Sequence, residues 1–229
     1  MSFIENANSA AKEVMDQIDP RLSVKYATVI EFLCDNPNMA AAGRSKDSSE
    51  IGTLNYIKAQ AWNFKKGREQ KTPEPPKTIP DEMVGIILNQ YFNVPADEIQ
   101  KAKEWHLLSM GAENLVGDLL ERYIAHTLED EGWVWCSGSV VRSVDFIYRD
   151  EQRQWQSLQV KNRDNSENSS SSAIRNGTPI KKWHRTFSKK QGDNWKNFPL
   201  TTPHNLSEEN FQKFVENYLQ NLKNIMSND

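Results

Sequence analysis

Cysteine is almost absent from this chain of 229 residues: Cys34 and Cys136 are its only two, and they form no CxxC pair. Neither a disulfide framework nor a cysteine-based zinc site is therefore expected, and a reducing cytoplasm is the expected location. Long apolar runs are missing too, since no stretch approaches the ~20 residues that a membrane span needs. The first residues, MSFIENANSAAKEVMDQID, are acidic and polar and lack the form of a secretory leader, so none is expected. Internal repeats and long low-complexity tracts are also lacking.

Net charge is small as well, at −3, and a value so close to zero argues at first against a polyanionic partner. The average hides an asymmetry. Between Arg153 and Leu200 there are ten basic residues against three acids, so this stretch carries +7 and the remainder −10. A basic surface on an acidic body binds a polyanion in one place only. Taken alone, the same charges also read as a solvated face.

The chain is long enough for one good core with a small accessory unit. Residues 1–64 read as helical, with apolar residues at three- and four-residue spacing in AAKEVMDQI, VKYATVIEFLC and IGTLNYIKAQAWNF. KKGREQKTPEPPKTIP (65–80) holds four prolines and many charges and is expected to be an exposed loop or linker. DEMVGIILNQYF and ADEIQKAKEWHLL read as two further helices. GAENLVGDLLERYIAHTLEDEG (111–132) reads as a third, with Gly132 placed to end it. WVWCSGS, VVRSVDFIYR and WQSLQVKN are short, aromatic and β-branched, and read as strands. After the polar stretch NRDNSENSSSSAIRNGTP, expected to be a loop, SEENFQKFVENYLQNLKNIM closes the chain as an amphipathic helix with Ser207 as N-cap. The expected class is α+β or α/β: a helical N-terminal subdomain with linker over 1–80, then a mixed sheet flanked by helices over 81–229.

Within that frame, one acid and one triplet stand out. Residues i and i+2 of a strand share a face, so Gln159 and Lys161 project together while Val160 points into the core. A hairpin turning near Gln152–Arg153 brings Asp145 roughly opposite residues 160–161. Hard cations such as magnesium take oxygen ligands, which Asp145, the Gln159 amide and the Val160 carbonyl can supply. Lys161 can orient and polarise a water while balancing charge on a phosphate. Glu121, on the preceding helix, can reach the metal or its waters from behind. An aspartate near a strand start followed by a lysine between aliphatics also arises by chance. What adds weight is the glutamate-bearing helix directly upstream and the basic, amide- and hydroxyl-rich segment directly downstream.

In order, GxxxE on a helix, SVDF and LQVK resemble the core of PD-(D/E)XK nucleases, closest to members whose second acid is glutamine. The longer run LQVKNRDNSENSSSS, with GAENLVGDLLERYIA before it, is similar to type II restriction endonucleases of the SinI/AvaII group over most of the chain. That resemblance implies a PD-(D/E)XK core and Mg2+-dependent hydrolysis of double-stranded DNA at GGWCC (W being A or T), leaving 5′-phosphate ends. It implies a bacterial cytoplasmic enzyme paired with a cognate DNA methyltransferase. Asp145 matches the metal-binding aspartate, Lys161 the catalytic lysine and Glu121 the helix glutamate, with Glu113 as the alternative. Gln159 departs from the usual acid, and a neutral amide holds a cation less strongly. His106, His126, His184 and His204 form no ligand spacing and are expected to be peripheral.

Guanine edges are read by Arg and Lys, adenine edges by Asn and Gln. Candidate readers and phosphate contacts in a recognition segment spanning 162–200 are Asn162, Arg163, Asn165, Ser166, Asn168, Arg175, Asn176, Lys181, Lys182 and Arg185. Such a polar loop is more often a linker, and only its position after Lys161 favours recognition. Trp183, His184, Phe187 and Trp195 read equally as a DNA surface or as core residues of a last strand. A two-fold site calls for a homodimer, with the N-terminal helices and the 207–226 helix as candidate interfaces. Two other readings are a structure-directed or repair nuclease and a catalytically silent DNA-binding protein.

Overall fold

The computed structural model describes residues 2–43, 50–164, 180–200 and 205–227. Three helices come first, α1 (Ala7–Ile18), α2 (Ser23–Asp35) and α3 (Leu54–Arg68). Helix α3 starts at Thr53, whose side chain accepts a hydrogen bond from the Tyr56 N–H, and ends where Arg122 donates to the carbonyls of Gly67, Arg68 and Glu69. A cation that satisfies the orphan carbonyls of a helix end also suits the negative end of its dipole. Beyond Arg68 the proline-rich stretch runs without regular structure to α4 (Glu82–Gln90).

Helix α5 (Ile99–Leu128) is where sequence and structure differ most. The two helices expected on either side of Gly111 are one continuous helix of 30 residues. Gly111 is there for close approach rather than termination: a Cβ at this position would lie 2.8 Å from the Glu74 carbonyl oxygen of the crossing linker. The helix gives way to a 3-10 turn, Glu129–Glu131, and Gly132 closes that turn with φ +88°.

The sheet has four strands in sequence order, β1 (Val134–Trp135), β2 (Phe146–Arg149), β3 (Trp155–Arg163) and β4 (Ile180–Thr186). The first two pairings are antiparallel and β3–β4 is parallel, so the sheet is mixed. β1 is shorter than its aromatic sequence suggests because Ser137–Ser139 turns away, with Gly138 at φ +73°. Here α3 packs backbone to backbone on the turn: a Cβ on Gly138 would lie 2.0 Å from the Asn63 carbonyl oxygen. Helix α6 (Glu208–Met226) begins at Ser207, whose hydroxyl accepts from the Asn210 N–H, as the sequence predicts.

Two cores lie on the two faces of this sheet. One joins α1–α3 to Val134, Cys136, Val140, Val141, Val144 and Ile147. The other joins α5 to Phe146, Leu158, Val160, Trp183, Trp195 and Phe211. Trp183 and Trp195 are thus core residues, which decides the alternative for these two, whereas His184 and Phe187 are half-buried and belong to neither core. This mixed α/β architecture, a sheet flanked by helices, is the expected class. No helix of the described residues is long and apolar enough to cross a membrane.

Candidate active site

Asp145 sits immediately before β2 and is held there by backbone bonds from both neighbouring strands. Its N–H donates to the Leu158 carbonyl (2.9 Å), its carbonyl accepts from the Cys136 N–H (2.8 Å), and its Oδ2 accepts from the Val160 N–H (2.7 Å). Three such bonds fix the carboxyl without any long side chain to order.

The register is one residue from the expected one. Phe146 pairs with Leu158, which places Asp145 opposite Gln159 instead of residues 160–161. A three-residue loop between Asp150 and Gln154 causes the shift, with the Asp150 N–H bonded to the Gln154 carbonyl and Arg153 in the left-handed region at φ +61°. Odd-numbered positions of β3 therefore put Gln159 and Lys161 on the same face as Asp145. On that face β4 adds Lys182 beside Gln159 and His184 beside Lys161. Val160 points the other way, into the core with Leu158.

Glu121 reaches the same place from α5. A cavity of about 660 Å³ is lined by Glu121, Asp145, Gln159 and Lys161 together. Trp135 orients Glu121, its indole N–H donating to the carboxylate at 2.9 Å. The Trp135 ring is itself held between the guanidinium groups of Arg68 and Arg122, at 5.2 and 5.3 Å. Glu113 is exposed on α5 and does not line this cavity.

Both carboxyls are held above the ordinary carboxylate range. For Glu121 the main cause is burial, followed by the charge of Asp145, against the Trp135 hydrogen bond and Lys161. For Asp145 it is burial, against the Val160 N–H and Lys161. The two titrate as a pair. Because their folded pKa values are raised, the folded chain binds these protons more tightly than the unfolded chain does. Their contribution to stability is thus fully present below the unfolded carboxylate pKa of about 4 and is lost as pH rises through the folded values. Glu121→Gln is expected to raise the thermal midpoint in chelator near pH 8 by roughly a few degrees, a gain that shrinks towards pH 4. An unchanged or lower midpoint at the alkaline end would contradict a strained pair.

Sequence reasoning missed several residues that face this cavity. Lys71 from the linker, and Ser139, Arg142 and Ser143 from the loop before Asp145, all line it. Ser139 and Ser143 have φ near +60°, a conformation uncommon outside glycine and asparagine and typical of functional loops. The loop is tied to the segment after α2 through the Arg142 N–H to the Met39 carbonyl and the Ala41 N–H to the Val140 carbonyl. The only signal in the sequence was the SGS turn, hidden inside a stretch that reads as strand.

Among the expected DNA contacts, Lys181 and Lys182 are exposed on β4 and Arg163 is exposed at the end of β3. Asn162 and Arg185 are engaged with one another, the Arg185 Nε donating to the Asn162 amide oxygen at 3.0 Å. Arg185 also pairs with Glu208 and lies over the Phe211 ring. Asn165, Ser166, Asn168, Arg175, Asn176 and His204 lie outside the described residues. His106 and His126 are away from the cavity, whereas His184 stands in register with Lys161, and its buried Nε2 has no hydrogen-bond partner among the described residues.

Comparison with known proteins places the chain as a whole. The SinI restriction endonuclease family matches residues 7–221. The chain is 50% identical over 224 residues to the type II restriction enzyme SinI of Salmonella infantis, covering 96% of this chain and 97% of that one. It is also 50% identical over 221 residues to the type II restriction enzyme Eco47I of Escherichia coli, covering 95% and 96%. A mixed α/β core with its acids, amide and lysine around one cavity thus has full-length relatives of one kind, and this chain belongs to the SinI restriction endonuclease family.

Proposed function

We propose that this protein, a type II site-specific deoxyribonuclease by family, uses Mg2+ to hydrolyse both strands of GGWCC in double-stranded DNA, leaving 5′-phosphate ends. The observation that carries the reading of the site is the meeting of Asp145, Glu121, Gln159 and Lys161 around one cavity.

No group of three or more His, Cys, Asp and Glu suited to a metal occurs among the described residues, so neutral oxygens must complete any cation site here. Such a donor set fits a hard divalent ion: two carboxyls whose mutual repulsion a cation relieves, the Gln159 amide oxygen and the Val160 carbonyl. When bound, the cation polarises the scissile phosphate and lowers the pKa of water. Asp145 and Gln159 would hold it from adjacent strands, with Glu121 behind them on α5. Gln159 contributes an oxygen without adding a third negative charge, at the cost of weaker metal binding until the DNA phosphate arrives.

Lys161 orients the attacking water and balances charge growing on the phosphate. The water oxygen bonds to phosphorus, the bond to the 3′ oxygen breaks, and that oxygen leaves with a proton. Arg142, Ser139, Ser143 and Lys71 grip the phosphates on either side. Lys181, Lys182 and Arg163 extend the contact along the duplex, together with Asn165, Ser166, Asn168 and Arg175. Asn162 and Arg185, already bonded to each other, hold the frame for that segment. Two strands are cut by two copies of the chain, and a cognate methyltransferase protects the host's own sites.

Plasmid DNA incubated with the protein and Mg2+, followed by sequencing of the fragment ends, tests this reading. Uniform 5′-phosphate ends within GGWCC are expected. Scattered ends, cleavage confined to branched DNA, or duplex binding without any nicking would each overturn it.

A further inference from the structure

Helix α4 and the first half of α5 form an arm that the rest of the described chain leaves bare. The α4 sequence EMVGIILNQ has too few polar residues for a solvated face, and a helix of that composition belongs in an interior. Yet Gly85 is its only buried residue, and no residue of α5 before Gly111 is buried. Fifteen large hydrophobic side chains stand exposed among the described residues, and ten of them fall between Ile79 and Met110. Ile86, Ile87, Tyr91, Phe92, Trp105 and Leu108 are among these. At roughly 100 Å² each they expose on the order of 1,000 Å² of apolar surface along the arm. That exceeds what a soluble monomer ordinarily shows and matches the ~800 Å² each partner contributes to a stable interface. Between the two helices runs an apolar groove of about 420 Å³, lined by Val84, Leu88, Ala102, Leu107 and Met110. Knobs and a hole on the same element suit a self-complementary contact.

We propose that a second copy of this chain covers the arm, so that α4 and the N-terminal half of α5 from two protomers pack together as a four-helix bundle. The choice of a second copy rests on the two-strand cleavage proposed above, since the described residues contain one active-site cavity of this kind. The same α5 that begins in the arm carries Glu121 into that cavity. Association at the arm therefore joins the two active sites through one continuous helix from each protomer. Fewer large apolar side chains stand exposed on α1–α3 (Val24, Leu54 and Trp62) and on α6 (Ile225), whose apolar residues pack mostly on the two cores, so the arm is the larger uncovered surface.

Sedimentation of the full chain without DNA or metal tests this independently of any activity. Wild type is expected to be a dimer at micromolar concentration. Ile87→Glu and Trp105→Glu are expected to weaken association by at least about 100-fold, while Ile225→Glu, at an exposed position of α6, leaves it unchanged. Hydrogen exchange on the unaltered protein serves if the variants fold poorly: protection of amides 82–110 should rise with protein concentration. A monomeric wild type, a dimer indifferent to both arm substitutions, or arm protection independent of concentration would overturn the proposal. A monomer that still cuts both strands sinks the interface and spares the nuclease assignment, whereas a dimer inert towards duplex DNA does the reverse.

Discussion

Replacing either Asp145 or Lys161 by alanine is expected to slow phosphodiester cleavage by at least about 10³-fold while cognate duplex binding persists. Three backbone hydrogen bonds hold Asp145 in one place, so its removal deletes a preorganised ligand for which no neighbour can substitute. Lys161 lies two residues beyond the Gln159 that faces Asp145, and its ammonium offsets part of the rise that burial imposes on both site carboxyls. The two variants should differ in binding. Asp145→Ala removes a negative charge facing the phosphate and should bind the duplex without metal at least as tightly as wild type. Lys161→Ala removes one cation and should bind more weakly, with a salt dependence lower by about one counterion. Single-turnover cleavage and titration of a labelled duplex measure both effects. Near-normal cutting by either variant would remove these residues from the chemistry.

The second large effect lies behind the site. Glu129, at the end of α5, accepts from Arg68 at 2.7 and 3.1 Å, from Lys25 at 2.5 Å and from the Trp135 N–H at 3.1 Å. Arg68 also donates to the Trp135 carbonyl at 2.8 Å. One ion cluster thus fastens α2, α3 and α5 to β1, whose Trp135 orients Glu121. Burial pushes the Glu129 carboxyl up, but the Arg68 and Lys25 charges outweigh it and hold it below the ordinary range. Glu129→Ala strands a guanidinium that is mostly out of water, and is expected to cost about 3–5 kcal/mol. That corresponds to a thermal midpoint lower by roughly 10 °C for a chain of this size. Since the folded pKa is depressed, the contribution is present above the unfolded glutamate value of about 4.3 and is lost as pH falls through the folded one. The gap between wild type and variant should therefore close in acid and stay open at neutral pH. A gap that does not change with pH would show that shape, not charge, is what Glu129 supplies.

A charge cluster of this kind is invisible along the chain, because Lys25, Arg68 and Glu129 are far apart in sequence and follow no local pattern. The active-site side chains were easier to read. Strand periodicity alone puts Gln159 and Lys161 on one face and Val160 on the other, and a helix glutamate upstream is a local feature. Register was not readable to the residue, since it depends on whether Arg153 takes a left-handed conformation and closes a three-residue loop. Gly111 misled for a related reason. A glycine that ends a helix and one that admits a crossing chain look alike until the Glu74 backbone is seen against it.

What the sequence by itself determined was whatever short-range periodicity encodes: a mixed α/β chain, a hairpin bearing an acid, an amide and a lysine, and a capped final helix. Tertiary structure alone decided which groups share a cavity. It brought Glu121 and not Glu113 to Asp145, added Lys71 from the distant linker and turned Arg142 of the preceding loop into the same cavity, and committed Trp183 and Trp195 to the core. Among the described residues it also left the α4–α5 arm uncovered. The physical reason is the same throughout. Burial and charge pairing are set by neighbours in space, and a run of apolar or basic residues does not state which surface it will meet.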